Sequence, residues 1–368
     1  MAEMSKNEML RIVEDNISKL KNKEFSVCFF VLDTKGNPSS ALEYIYQTAM
    51  CLKNMGYNVK ILHQEEEFIG VGGWLGEEFA NLPHFNIEKE NVDISPSDFL
   101  FIPEIFANVI IHTRKLPCKR VVIVQNYKNV SEFMPVSQNM QRLGITDAIV
   151  TTEEQGKMIS SYFPELRTHI VHPSIKKMFR DSELPRKLVI SIISKDQSKT
   201  NQIVKPFYWK NEIYKFVTFN DLRGMSQETF ANSLRESAIV IWEDDETPFG
   251  YTLLEALRCG CLVLAKVPNK PTEWMLDENG NLSQSIIWFD NNDDLPNILA
   301  SVVRSWTLDL IPNEAYEGQK KFNDLYSEEA QKTEIEYVYE KCLFEKRLNE
   351  FTEIKTDIEN NVFKTKEE

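Results

Sequence analysis

Short apolar runs alternate with amphipathic stretches along most of the chain. Leu10, Val13, Ile17 and Leu20 recur at helical spacing and predict an opening amphipathic helix. Residues 26–32 (SVCFFVL) have the length and composition of a buried strand, and 33–40 (DTKGNPSS) are turn-forming. Residues 41–54 then read as a helix that Gly56 is placed to end, and 58–62 (NVKIL) as the next strand. A β-α-β opening of this kind predicts a parallel sheet.

The pattern continues with strands expected at 99–102, 121–124, 148–151 and 169–171, and a helix at 153–162. The polar stretch 181–186 (DSELPR) reads as a linker. Beyond it a second series begins, with strands at 188–193, 214–218, 238–242, 261–265 and 285–289 and helices at 226–236, 252–258 and 295–306. Ile335, Val338, Tyr339, Cys342 and Leu343 fall at i, +3, +4, +7 and +8, the apolar stripe of a long helix. The charged residues after Phe351 are expected to fray.

The expected fold is therefore α/β with two Rossmann-like βαβ domains facing a cleft. Residues 1–180 form the first and 187–330 the second. Residues 331–350 form a C-terminal helix packing back toward the first, and 351–368 a charged tail. In doubly wound sheets, ligands bind at the carboxyl ends of the strands, so the loops there are where chemistry is expected.

A length of 368 residues suits two domains, and 42% apolar with 27% charged residues is an ordinary globular balance. The net charge of −14 argues against a protein that grips nucleic acid through a basic surface, and it disfavours docking on anionic lipid. The six cysteines form no CxxC pair, and the five histidines show no metal-ligand spacing, so buried reduced thiols and no metal are expected. The residues after Met1 lack the apolar stretch of a signal peptide. No apolar run approaches the roughly 20 residues needed to cross a bilayer. A cytoplasmic protein with no integral membrane association follows as the expectation. No G-x-G-x-x-G follows the first strand, which excludes a nicotinamide dinucleotide site there.

The most informative stretch is 238–266, AIVIWEDDETPFGYTLLEALRCGCLVLAK. A buried strand ends in an acidic loop, then Phe249 and Gly250 lead into a helix that Gly260 ends. Gly250 permits close backbone approach to a ligand, and the helix N-terminus suits a phosphate. Glu255, about one turn in, can accept hydrogen bonds from sugar or ribose hydroxyls.

This stretch resembles the signature of GT-B-fold glycosyltransferases, specifically the retaining enzymes of glycosyltransferase family 4. Phe249-Gly250, Glu255-Ala256 and Gly260 fall on that family's pattern. The resemblance implies that Glu255 binds the nucleotide ribose and that the backbone of Phe249, Gly250, Tyr251 and Thr252 holds the sugar and diphosphate. The family's first acidic position, eight residues before Glu255, is occupied here by Thr247, with Glu246 beside it; either fills that slot. The family's basic pair for the diphosphate falls at Lys195 and Lys199. Residues 222–236 resemble the helix near the base, and His172-Pro173-Ser174-Ile175 the stretch ending the first domain. In the first domain the resemblance is one of architecture. It puts Gly36 and Asn37 over the donor phosphates or the acceptor, and Gln125, Asn126, Glu104 and His172 on the acceptor side.

What the resemblance implies is an enzyme moving a sugar from a nucleotide-diphosphate-sugar, a co-substrate rather than a cofactor, to an acceptor hydroxyl with retention and without a metal. The acceptor (glycan, protein, lipid-linked or nucleic-acid hydroxyl) and the oligomeric state are left open. The alternative is a nucleotide-sugar-binding protein that has lost catalysis and serves a structural or assembly role.

Overall fold

Strand β1, Ser26–Phe30, is buried along its whole length, and its side chains alternate between two cores. Val27 and Phe29 enter one and Cys28 and Phe30 the other. The same division holds on β4 (Phe99–Pro103), where Phe99 and Phe101 face the first core and Leu100 and Ile102 the second. Near-continuous apolar strands of this kind mark a parallel sheet covered on both faces. The computed structural model describes residues 5–180, 186–244, 249–312, 322 and 325–360.

The chain divides into two compact units, Met1–His172 with Lys332–Glu368, and Pro173–Gln331. The first unit adds α1 (Lys6–Lys21), α2 (Ser40–Asn54), β2 (Asn58–His63), α3 (Glu77–Ala80), β3 (His84–Asn86), α4 (Ala107–His112), β5 (Lys119–Val124), α5 (Tyr127–Phe133), β6 (Asp147–Val150), α6 (Glu153–Tyr162) and β7 (Arg167–Ile170). Its sheet is parallel with order β3-β2-β1-β4-β5-β6-β7. The order reverses between β1 and β4, the crevice position of a dinucleotide-type sheet.

The second unit contains β8 (Lys187–Ser194), α7 (Gln197–Lys210), β9 (Thr218–Asp221), α8 (Gln227–Glu236), β10 (Ser237–Glu243), α9 (Tyr251–Arg258), β11 (Leu262–Lys266), β12 (Ile287–Phe289) and α10 (Leu295–Thr307). Its parallel sheet has the order β12-β11-β10-β8-β9. The reversal lies between β8 and β10, as in flavodoxin-like sheets.

Several expectations shift. The strand expected at 214–218 is instead a 3-10 turn at Glu212–Tyr214 followed by β9. Tyr214 leaves the sheet to stack on Phe207 at 6.1 Å between ring centres. Residues 197–210, where the sequence pattern assigned no element, form α7, which buries only Ile203 and Phe207. The division between units falls at His172/Pro173 rather than at 180, and the second crossing at Gln331/Lys332.

The C-terminal segment belongs to the first unit. Glu336–Phe344 is a π-helix that sets Tyr339 5.0 Å from Phe101 and Phe344 4.6 Å from Phe99, between ring centres. The helix Glu345–Glu359 follows. The fraying expected after Phe351 is therefore overturned through Glu359. Ile358 is buried, Lys355 pairs with Glu14 at 2.7 Å, and Lys6 donates to the Glu359 carbonyl. Among the described residues no helix is long and apolar enough to cross a membrane. All six cysteines are free thiols.

Candidate functional site

The reversal between β8 and β10 leaves the carboxyl ends of two adjacent strands to carry the loops that matter. Glu243 ends β10 opposite Ser194, the last residue of β8. Its side chain is 1% exposed and sits between two ammonium groups. Lys199 Nζ lies 3.1 Å from Oε2 and Lys266 Nζ 3.6 Å from Oε1. Oε2 has no directed hydrogen bond, so the Lys199 ion pair is what compensates its burial. Next along the chain, Asp244 pairs with Lys195 at 3.0 Å.

Lys199 stands in the first turn of α7, whose N-cap Asp196 accepts the Ser198 N–H at 2.7 Å. The helix N-terminus carries positive partial charge, and Lys195 and Lys199 add to it rather than oppose it. Lys195 and Lys199 therefore each pair with an acid at the carboxyl end of β10, and Lys266, which was not singled out from the sequence, pairs there as well.

Helix α9 opens at Gly250, whose φ of +71° is left-handed. The backbone there demands glycine, and an added Cβ, 2.5 Å from Met275 Cε and 3.2 Å from Trp274 Cζ2, would also have to displace the end of the Met275 side chain. Phe249 and Tyr251 are buried in an aromatic cluster with Trp274 and Tyr326. Trp274 donates its indole N–H to the Phe249 carbonyl, and Tyr251 donates its hydroxyl hydrogen to the Ser174 carbonyl at 2.6 Å. These two side chains thus shape the loop from beneath, which leaves backbone as what Phe249 and Tyr251 can offer a ligand. Thr252 accepts from the Trp242 indole at 3.1 Å, tying α9 to the end of β10. Glu255 is buried on α9, four residues after Tyr251 and hence on the same side of the helix. Glu246 and Thr247 lie outside the described residues.

In the first unit, Gly36 has a φ of +78° in the loop after β1. Asn37 is turned to its own loop, donating from Nδ2 to the Thr34 carbonyl at 2.8 Å. The anchor of that loop is Asp33, which was not singled out from sequence. Its carboxylate accepts the N–H groups of Lys35, Ile69 and Gly70, joining the β1 loop to the segment after β2.

Glu104, directly after β4, is buried and accepts the Asn126 N–H at 2.9 Å and the Asn129 side chain at 3.0 Å. Burial raises its pKa, against those hydrogen bonds, which lower it. Asn126 caps α5 by accepting the Lys128 N–H, and Gln125 donates to the Ala41 carbonyl at the first turn of α2. The Gln125 backbone N–H also bonds the Glu104 carboxylate, so Glu104, Gln125, Asn126 and Asn129 form one connected network across the ends of β4 and β5. His172 stands apart from it. Its backbone N–H and Nδ1 both meet the Glu334 carboxylate, at 2.7 and 2.8 Å, fixing the exit from β7 to the C-terminal segment.

No protein-family model matches the chain. Over 221 residues, 58% of its length, it is 24% identical to an alpha-1,6-glucosyltransferase of Actinobacillus pleuropneumoniae serotype 7 (strain AP76), and it spans 64% of that relative's length. Among solved structures it is similar to the Anabaena protein Alr3699/HepE in complex with UDP and glucose, with a TM-score of 0.61 at 11% identity, covering 86% of this chain and 99% of that one. It is likewise similar to a sucrose-phosphate synthase (tll1590) of Thermosynechococcus elongatus, with a TM-score of 0.60 at 10% identity and coverage of 86% and 99%. The pneumococcal O-GlcNAc transferase GtfA in complex with UDP and GlcNAc gives 0.51 at 9% identity, covering 91% and 99%. At these identities the likeness is one of fold, the two-sheet α/β fold of GT-B glycosyltransferases.

Proposed function

We propose that this chain transfers a hexose from a UDP-hexose to an acceptor hydroxyl. The observation that carries the reading is the group of lysines at the carboxyl ends of β8, β10 and β11, beside the glycine-opened helix that bears Glu255. Glycosyl transfer needs its departing diphosphate stabilised, and fixed cations at a strand-end crevice do that without reorganising during the reaction. The relative named a glucosyltransferase supports a glucosyl donor. The UDP held by two of the structural neighbours supports the nucleotide.

The bond from the sugar C1 to the diphosphate breaks, and the acceptor oxygen bonds to C1 on the same face. The acceptor proton passes to the leaving diphosphate. Lys195 and Lys199 neutralise that diphosphate, Glu255 holds the ribose, and the Gly250 backbone gives the phosphates room. No metal is called on, because the lysines supply the positive charge. By the same family resemblance, Gly36 and Asn37 are assigned to the donor phosphates or the acceptor, and Glu104, Gln125, Asn126 and His172 to the acceptor side. Six free thiols and a net charge of −14 support work in the reducing, nucleotide-sugar-rich cytoplasm.

A second reading, a catalytically degenerate nucleotide-sugar-binding protein, is favoured by one residue: Thr247 in place of the family's first acid. The decisive experiment is a thermal-shift screen against UDP, GDP, ADP and CMP and their sugar conjugates, with Glu255→Ala as control. A shift with UDP and UDP-glucose, lost in the variant, is expected. No shift with any nucleotide from folded protein would sink the donor site. Binding without transfer or donor hydrolysis would select the degenerate reading. The anomeric configuration of the product, read by NMR, tests retention.

A further inference from the structure

A carboxylate removed from water is costly unless it is well paired, and an apolar residue in its place is often no less stable. Glu243 is nevertheless at the end of the central strand β10, with its side chain 1% exposed and its Oε2 lacking any directed hydrogen bond. Its compensation is ionic and comes from two different elements. Lys199 reaches it from the first turn of α7, and Lys266 from the last position of β11.

Both lysines are themselves at unfavourable places for stability alone. Lys199 sits at the positive end of a 14-residue helix, where a cation is disfavoured. Lys266 ends a strand whose four preceding residues are buried and apolar. Local rules broken together at one strand-end crevice are the mark of a site rather than of a scaffold.

We propose that Glu243 is a positioning residue that holds Lys199 and Lys266 at fixed places over the ends of β10 and β11, and that Lys266 is a further cation for the donor's diphosphate. The inference rests on the proposed donor site. A lysine on a four-carbon stem loses much rotamer freedom when it clamps a phosphate, and a buried carboxylate that has already ordered two such stems removes part of that cost before the ligand arrives. Asp244 pairs with Lys195 at 3.0 Å, but the Lys195 side chain is 70% exposed and is held less firmly.

The test is calorimetric titration of the full chain with UDP and with UMP, which differ by the β-phosphate. It uses wild type, Lys266→Met, Glu243→Gln, Glu243→Asp and the exposed-surface control Lys205→Met. Lys266→Met is expected to weaken UDP about tenfold, the worth of one charge-assisted contact, and UMP much less. Glu243→Gln is expected to lower the UDP-over-UMP preference several-fold, with Glu243→Asp recovering part of it and Lys205→Met changing nothing. Wild-type UDP binding that Lys266→Met leaves intact would overturn the third-cation role while the donor site stands. Equal weakening of UDP and UMP by Glu243→Gln would reduce Glu243 to a structural residue. Should Glu243→Gln not fold, Glu243→Asp carries the same ratio test. Absence of any nucleotide binding by folded wild type would overturn the donor reading and this inference together.

Discussion

The Trp274 indole N–H meets the Phe249 carbonyl oxygen at 2.8 Å, reaching back from the segment after β11 to the residue just before Gly250. That one bond fixes the entry to α9 from a position 25 residues downstream. Trp274→Phe keeps an aromatic ring of smaller size and removes the donor, leaving a buried carbonyl unsatisfied and some packing lost. A loss of about 1–3 kcal/mol in unfolding free energy is expected. A rise in the donor KM larger than the fall in kcat should accompany it, read by denaturant titration and by initial rates.

Gly250→Ala should cost more than a usual helix-start substitution. The φ of +71° alone costs an alanine about 1–2 kcal/mol, and the new methyl would meet Met275. Met275→Ala alone costs stability because Met275 is buried, so the steric part is read as the coupling between the two substitutions in a double-mutant cycle, and the remainder of the Gly250→Ala cost is the backbone part. Thermal melts of both single variants and the double variant, beside wild type, separate them.

The first unit holds a buried charge group at the amino ends of its strands, where no substrate loop lies. Asp147 is fully buried and meets Arg167 at 2.8 Å, Lys119 at 3.0 Å and His169 at 3.1 Å. Burial alone would raise its pKa, but hydrogen bonds from His169, Arg167 and Thr146 and the Lys119 charge outweigh that and hold it below the ordinary carboxylate value. A depressed pKa contributes stability that is complete above the unfolded value of about 4 and is lost as pH falls below it. Asp147→Asn should therefore cost about 3 kcal/mol or more at pH 7. The gap to wild type should close on acidification below about pH 4, as measured by urea midpoints across pH.

Glu104 predicts the opposite sign. Its pKa is raised by burial, so its ionised form is the unfavourable one in the fold. Glu104→Gln can still accept the Asn126 N–H, and should be neutral or stabilising by up to about 1 kcal/mol at pH 7. The advantage should shrink as pH falls and the wild-type carboxyl takes up its proton. If catalysis falls sharply in this stable variant, Glu104 has a part in acceptor chemistry; unchanged rates would remove it from that role.

The thiols should be slow. Burial pushes Cys28 up to about 12 and Cys118 up to about 11. Native protein at pH 8 should show no alkylation at either by mass spectrometry within an hour in which denatured protein is labelled fully.

Much of this architecture was legible because buried parallel strands advertise themselves as short apolar runs. Residues 238–242 and 121–124 lie within β10 and β5, and the helix at 153–162 matches α6 at both ends. Reading failed where an apolar run serves something other than a strand. Tyr214 and Phe216 look like strand residues, yet one stacks on α7 and the other is exposed. Helix α7 was hidden because its buried face is only two residues wide. At the site, Gly250 and Glu255 were singled out by the resemblance of 238–266 to a family signature. Glu243 was not. It opened what looked like a solvated acidic loop, whereas it is the last residue of a strand with its charge answered by lysines 44 and 23 positions away. Pairings between strand ends are set by sheet order, which local periodicity does not encode. Phe249 and Tyr251 stand in the same family-like stretch, and their side chains build the floor of the loop.

The second unit starts and finishes at one spot. The Ile175 N–H donates to the Tyr326 carbonyl at 2.8 Å, and Ser174 Oγ donates to Gln331 Oε1 at 2.8 Å. Pro173–Gln331 is thus a cassette, a single uninterrupted stretch of coding sequence whose two ends are already latched together. A pair of recombination events at its borders exchanges the whole lysine-bearing sheet without a new loop having to be invented. The other unit has no such freedom, because Tyr339 and Phe344, which cover its first strands, are encoded on the far side of the insert.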